Sequence, residues 1–599
     1  MPMTLGQHLL NDLMPTGHKV DTALDKSALT KKLTALARED RGLYVDTVSK
    51  LKRLGDHIST TEGISVGLDD LTPEYSVRDK ILSDAQASFD KAKTREERDA
   101  AIMKAQDEIV AHTKVHKSSM TEMALTGARG NIPQLMKIVS TPVAAADAKG
   151  NITPYLINRA YSEGLTPGQY WTTVNEARIN TIKSTTSVSE PGDVSKVFVN
   201  TMYSHIVTEE DCGTNNGLLV PTGDNTALSR HLGRDTDTYK KNTTIDGKVL
   251  ADLKKRHATV FVRSPMTCEA EAGVCKMCQG LDENLQQHVI GANVGVRAAQ
   301  ALSEPLTQMT LNSKHGVRTI KGSTKRLEGL QGIRQLLEIP ASFSNKAALA
   351  SEHGTVTRVQ PAPHGGYYIN VNTKVHYSGP GLEPKVTVGQ KVEAGDMLTD
   401  GIMKPDEVVK YKGLGVGRHH LAQALHDTYG ASGVNLDRRH IELLVRANVG
   451  YVKITEGSST YPMLLKGDTF PYNQFKKELA AHLDSVPLHS SQGRVLGEEI
   501  HEFSVGTELT PSVISKLSGY NITTVKTVHN PPHFEFVTRP VPRTPLMDPD
   551  WMARLSHRYL KENLLKGAHS GATSDLHSTH PVPAYAHGAE FGDGYQGRY

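Results

Sequence analysis

All four cysteines of the chain suit a single metal ion. Cys275 and Cys278 form a C-x-x-C pair, Cys268 stands seven residues before Cys275, and Cys212 lies apart in EEDCGTNNG. A two-residue spacer lets two sulfurs turn toward one ion from a knuckle, and four thiolates satisfy Zn²⁺ in a closed tetrahedron. A closed site has no open coordination position, so it holds a fold and does no chemistry. Four reduced thiols are the plainer alternative. A second feature is SEPLTQMTLNSKHGVRTIKGSTKR, residues 303–326, where a helix-forming run reaches the lone imidazole of His315 and passes into Gly, Ser, Thr, Lys and Arg. Taken alone, His315 reads as an exposed loop histidine. Three basic groups complete the inventory: Lys321, Lys325 and Arg326; Lys410, Lys412 and Arg418 with His419 and His420; Arg438 and Arg439 with His440. Each is either a set of phosphate contacts, which hold nucleic acid without reading its sequence, or a solvated face.

These residues need elements to position them. Residues 1–60 read as helical, and SVGLDDL as a tight turn. Val77, Ile81, Ala85 and Phe89 form one stripe, and Ile102, Ala105 and Ile109 a second beyond KAKTREERD, which predicts an antiparallel helix hairpin, charged outside. The helical pattern from Tyr161 to about Tyr203 is long, polar and interrupted at Pro191-Gly192. Residues 287–312 predict a helix leading into the His315 segment. After Phe343 the chain alternates β-branched and polar residues, and KVTVGQKVEAGDMLTDG predicts a small β-barrel or sandwich-hybrid hairpin. Helices return at 415–429 and 435–449, and the last thirty residues, rich in Gly, His, Ser and Pro, read as a tail docked on a partner or poorly ordered.

A chain of 599 residues exceeds one core, so several domains are expected. No apolar run approaches the roughly 20 residues of a membrane span, and the N-terminus lacks the order of a signal peptide; a cytosolic setting is the expectation. Lys+Arg (68) and Asp+Glu (65) nearly cancel, so any nucleic-acid contact must come from local clusters. The 27 histidines are scattered and read mostly as surface polarity.

VGVRAAQALSEPLTQMTLNSKH, Val294 to His315, resembles the trigger loop of multisubunit DNA-dependent RNA polymerases, with Ala298, Ala299, Gln300, Glu304, Pro305, Thr307, Gln308, Thr310 and His315 in register. Other segments resemble the same family in the same order. TGARG with Gln134 is similar to the loop beside the active centre, and EGLTPGQYWTTVNEARINTIKSTTSVSEPGDVSK to the bridge helix. EEDCGT and SPMTCEAEAGVCKMC are similar to the structural zinc site of the bacterial-type largest subunit, and VTVGQKVEAGDMLTDG and GVNLDRRHIELLVRANV to the region after the trigger loop. The resemblance implies the C-terminal part of the β′-type subunit. It implies that the trigger loop refolds on the correct nucleotide and that His315 reaches the β-phosphate, with Gln308, Leu311 and Asn312 nearby. In the bridge helix it implies Arg178, Thr185, Thr186 and Gly192; beside the active centre, Arg129 and Gln134; at the zinc, Cys212, Cys268, Cys275 and Cys278. Lys321, Lys325 and Arg326 become candidates for nucleic-acid contact. The sequence departs from the pattern where Leu311-Asn312 replaces Met-Arg, where Lys314 replaces an aromatic, and where Pro191-Gly192 replaces Ser-Gly but keeps a bend point.

The family also needs Mg²⁺ held by three aspartates in NADFDGD, and no D-x-D-x-D occurs here; Asp235 and Asp237 in GRDTDTY lack the third aspartate and read as solvated surface. The resemblance therefore implies Mg²⁺ bound by a separate β′ N-terminal chain, a split-gene subunit most like that of giant tailed bacteriophages, working in the cytoplasm of an infected bacterium. It also implies a β-type subunit, whole or split, DNA template, nascent RNA, nucleoside triphosphates and, as one option, a promoter-specificity subunit. The expected architecture is α+β, multidomain and helix-rich: a helical segment joining the partner chain (1–60), secondary-channel helices and active-centre loop (61–150), bridge helix (151–205), zinc region (206–286), trigger loop (287–342), β-rich hybrid segment (343–410), mixed α/β region (411–540), and C-terminal helix and tail (541–599). The competing reading is a non-catalytic, zinc-stabilised nucleic-acid-binding or scaffold protein with a polymerase-derived fold.

Overall fold

The computed structural model describes residues 4–588 except 23, 64, 146–151, 154, 187–188, 224, 271–272, 313–328, 549, 558, 577 and 579. The chain divides into two compact units, the first built on Met1–Ser187 and the second on Val188–Thr310 with Lys321–Tyr599.

The first unit is helical, and small polar side chains cap the start of several of its helices. Thr4 with Gln7 and Thr94 with Glu97 form capping boxes, and Asp25, Asp40, Ser118 and Asn131 each accept a backbone N–H at a helix start. The predicted hairpin is present as Tyr75–Lys91 against Arg95–Val115. Its two stripes meet as expected: Ala85, Ile102, Ala105 and Ile109 are buried with Met136 and Val143, and Ile81 and Phe89 pack on them. Val77 does not join them; it is exposed. Arg78, one position on, is buried and pairs with Glu163, whose carboxylate also accepts from the Ala160 N–H at 2.7 Å. Burial opposes its charge, but Glu163 and Asp79 keep the Arg78 guanidinium above its ordinary pKa.

A large shared core organises the second unit. Leu218–Pro221 pairs antiparallel with Thr259–Val262, and Val207–Glu209 runs parallel to Val274–Cys275. Helix Val294–Asn312 buries Ala298, Ala299, Leu302 and Leu306, at the spacing of one helical face. Gly354–Pro361, Tyr367–Val371 and Lys374–Ser378 form an antiparallel meander with Lys391–Val392 on its edge and a separate small core. The predicted β-hairpin over 385–401 is thus reduced to one two-residue strand, because turns at Gly389 and Gly395, both at positive φ, cut the ladder short. Val449–Glu456 is the middle strand of a further three-stranded sheet. The C-terminal region carries helices Trp551–Leu555, Leu560–Ser570 and Pro581–His587.

The most buried charges are structural. Arg230 donates to Glu442 through two N–H groups at 2.7 and 2.8 Å, both side chains are at most 1 % exposed, and Ser264 donates to the same carboxylate at 2.6 Å. Several histidines expected at the surface are inside: His205, His231, His288, His501 and His580 are all buried. Burial pushes His205 down to about 3, and His288, His501, His557 and His580 to about 4. A depressed folded pKa adds stability that is complete above the unfolded value of 6.5 and is lost as the pH falls toward the folded one. The urea midpoint is therefore expected to drop between pH 6.5 and pH 4; a flat profile across that window would show that these rings are not held neutral.

Candidate metal centre and polar helices

The four cysteines predicted to share an ion do converge. Cys212 follows strand Val207–Glu209, Cys268 follows the Pro265–Thr267 turn capped by Ser264, Cys275 closes strand Val274–Cys275, and Cys278 lies one turn on. Their sulfurs all lie within 4.8 Å of one another, with Cys212 to Cys278 at 3.7 Å and Cys212 to Cys268 at 3.8 Å. A tetrahedron with metal–sulfur arms of about 2.3 Å has edges of about 3.8 Å, so the tetrad fits a four-thiolate ion. Cys268, Cys275 and Cys278 are buried and Cys212 is half-buried. Backbone donors already face the sulfurs: Cys278 N–H to Cys275 Sγ and Cys275 N–H to Cys268 Sγ at 3.3 Å, and Glu269 N–H to Cys212 Sγ at 3.4 Å. Gly273 sits at φ +61°, and a Cβ there would meet the Ile206 carbonyl oxygen at 2.0 Å, so only glycine lets the knuckle approach that strand.

Sequence reasoning missed Arg263. It is fully buried, and its Nη2 donates to Asp211 at 2.6 Å and faces Cys278, Cys212 and Cys275 Sγ at 3.3, 3.4 and 3.7 Å. Burial opposes its charge, but the sulfur of Cys278 and the carboxylate of Asp211 hold it protonated, above its ordinary pKa. The available signal was an arginine closing the apolar strand TVFV just before SPMTC.

The polar helix is a 20-residue element, Pro167–Thr186. Thr166 and Gln169 cap it reciprocally, and Lys137 pairs with Glu176 at 2.8 Å. Thr172, Thr181 and Thr185 turn their hydroxyls back onto carbonyls four residues earlier, a pattern that bends helices. Arg178 and Thr185 are exposed, as are Tyr170 and Trp171; the Thr186 side chain lies outside the described set. Pro191 and Gly192, where a bend point is expected, are helical within Ser189–Met202, and residues 187–188, between this helix and Pro167–Thr186, lie outside the described residues. Gly192 is exposed with open space around it.

Gln308 is exposed near the end of Val294–Asn312 and donates to Glu304. The side chains of Leu311 and Asn312 and all of His315, Lys321, Lys325 and Arg326 lie outside the described residues. Arg129 is exposed in the turn between Gly127 and Gly130, both at positive φ, and Gln134 is exposed in the first turn of Ile132–Val139. Asp235 and Asp237 are exposed and paired with Lys240 and His257, as a solvated surface requires. The other basic groups are committed to the fold. Arg418 donates to the carbonyls of Val449 and Met266, Arg439 to those of Ser229, Gln279 and Leu281 and to Asp437, and Arg438 to Gln423. Lys412 pairs with Asp396 and Lys410 with Glu535. For Arg418, Arg438 and Arg439 both sequence readings give way: tertiary burial turned these cations inward.

Residues 164–364 match the family model described as RNA polymerase Rpb1, domain 5, a span that includes the polar helix, the cysteine tetrad and Val294–Asn312. Along most of its length the chain is similar to bacterial β′ subunits. It is 28 % identical over 499 residues to the DNA-directed RNA polymerase subunit beta′ of Thermoanaerobacter sp. (strain X514), covering 77 % of this chain and 42 % of that protein. It is 28 % identical over 522 residues to that of Syntrophomonas wolfei (79 % and 43 %), and 26 % over 553 residues to that of Tropheryma whipplei (84 % and 42 %). The chain thus spans about two fifths of the length of the curated relatives it matches. Among the described residues no helix is long and apolar enough to cross a membrane.

Proposed function

We propose that the chain is the C-terminal β′-type component of a multisubunit DNA-dependent RNA polymerase. The observation that carries this is the family match over residues 164–364, which gathers the polar helix, the cysteine tetrad and His315 into one domain type. In this reading the bridge helix takes in Pro167–Thr186 and Gly192, with Arg178, Thr185 and Thr186 toward nucleic acid. Arg129 and Gln134 belong to the active-centre loop. Val294–Asn312 is the base of the trigger loop. Gln308 and Asn312 present polar contacts to the incoming triphosphate, Leu311 offers apolar contact to its base, and His315 stabilises the charge that develops on the leaving pyrophosphate. Lys321, Lys325 and Arg326 hold the nucleic-acid backbone.

Cys212, Cys268, Cys275 and Cys278 hold Zn²⁺, which supplies a fixed cross-link and no reactive position. No D-x-D-x-D lies within these residues; in this reading aspartates on a separate β′ N-terminal chain hold Mg²⁺, which would neutralise phosphate charge. A β-type subunit, DNA and nascent RNA complete the assembly, which works in the cytoplasm of a bacterium infected by a giant phage. The test is RNA extension on a primed template by the partner subunits with and without this chain. Extension that requires the chain supports the reading; extension indifferent to it supports the scaffold alternative.

A further inference from the structure

We infer that Arg263 is a positioning residue for the thiolate tetrad, lowering the charge on its sulfurs and so slowing loss of the metal. This rests on the four-thiolate reading of the cysteine cluster. The argument is one of donor geometry. Nη2 carries two hydrogens. One is committed to Asp211 Oδ1 at 2.6 Å, which leaves the other among Cys278, Cys212 and Cys275 at 3.3, 3.4 and 3.7 Å. The group cannot swing away. Nη1 donates to Asn242 Oδ1 at 3.0 Å, Asn242 Nδ2 donates to Asp211 Oδ2 at 3.2 Å, and the Gly213 N–H donates to Asp211 Oδ1 at 2.9 Å. Arg263, Asp211 and Asn242 thus close a ring that aims one guanidinium edge at the sulfurs.

Backbone donors do not reach every sulfur. Cys212, Cys268 and Cys275 each accept a backbone N–H, whereas among the described residues Cys278 faces no N–H donor but Arg263. Four thiolates around a divalent cation carry a net charge of −2; the guanidinium, itself paired with Asp211, leaves the sum for the site unchanged but places its positive edge and a donor against three of the sulfurs. Hydrogen bonds to thiolate sulfur draw electron density from the metal–sulfur bond and lower its basicity toward protons and electrophiles. Outer-sphere partners of this kind change metal affinity by roughly 10- to 100-fold.

The test uses the full-length chain in its native assembly, as wild type, Arg263→Gln, Arg263→Lys and Asp211→Asn. Zinc stoichiometry is measured first; wild-type chain without one bound zinc overturns the four-thiolate reading itself. With zinc present, transfer to a colorimetric chelator is expected to be about 10- to 100-fold faster in Arg263→Gln. Arg263→Lys, which keeps the charge, should fall between, as should Asp211→Asn, which frees the guanidinium without removing it. In Co²⁺-substituted protein the sulfur-to-metal charge-transfer band should move to lower energy in Arg263→Gln while the tetrahedral ligand-field bands stay in place. Unchanged transfer rate and band position in metal-loaded Arg263→Gln would overturn the inference. If Arg263→Gln does not fold, Asp211→Asn decides on the same two readouts.

Discussion

Replacing His315 by alanine is expected to slow nucleotide addition by the assembled polymerase by about 10²- to 10⁴-fold, the range for loss of a positioned acid or hydrogen-bond donor. The effect should fall on the rate of addition at saturating nucleotide more than on half-saturation, because the imidazole acts where charge develops and not where the base is selected. Single-nucleotide addition followed by rapid quench measures this directly. His315→Gln separates two roles. A glutamine that restores much of the rate marks His315 as a hydrogen-bonding positioner, and one as slow as alanine marks it as a proton donor. An alanine variant within a factor of two of wild type would remove His315 from the chemistry. The helix that precedes it in sequence is well anchored: Leu302 and Leu306 are fully buried, and the Leu302 carbonyl accepts from the Tyr429 hydroxyl at 2.8 Å. Gln308 beyond them is exposed.

The second large effect is on folding. Cys275→Ser, or removal of the ion by a chelator, is expected to abolish the cooperative unfolding transition of the second unit. The tetrad ties together three stretches of chain, around Cys212, Cys268 and the Cys275–Cys278 knuckle, and its three buried cysteines belong to the unit's main hydrophobic core. Structural zinc binds with roughly 10–16 kcal/mol in small domains, and a whole domain is stable by only about 5–15 kcal/mol. Loss of the ion should therefore leave little folded population. Metal analysis with limited proteolysis checks it: fragments of the region 206–286 should appear at protease concentrations that leave the zinc-loaded protein intact. A zinc-free Cys275→Ser chain with wild-type protease resistance would refute the structural role.

The cysteine tetrad was legible in the sequence because its chemistry is local: a two-residue spacer fixes two ligands, and so few cysteines leave little choice for the others. The helix hairpin was legible for a similar reason, since four-residue spacing places Ala85 with Phe89 and Ile102 with Ile109 without any knowledge of what covers them. What the sequence hid is set by tertiary burial. Arg418, Arg438 and Arg439 look like free cations until the carbonyls and carboxylates that receive them are known, although Glu442, four residues after Arg438, was a hint. Arg263 is one charged residue at the end of an apolar strand, and its role depends on Asp211 and Asn242, both remote in sequence. The buried histidines are likewise indistinguishable from surface ones by composition. Val77 shows the opposite error: it fits the stripe by spacing yet is exposed, while Arg78 beside it is buried and pairs with Glu163.

The central claim is that this chain completes a polymerase whose magnesium-binding aspartates lie elsewhere. Purification of the tagged chain from its native cells, with mass spectrometry of the stoichiometric partners, tests it most directly. The account predicts a partner of equal abundance that contains NADFDGD and a complex that synthesises RNA on a DNA template. A chain that purifies with zinc and nucleic acid but without such a partner would contradict it.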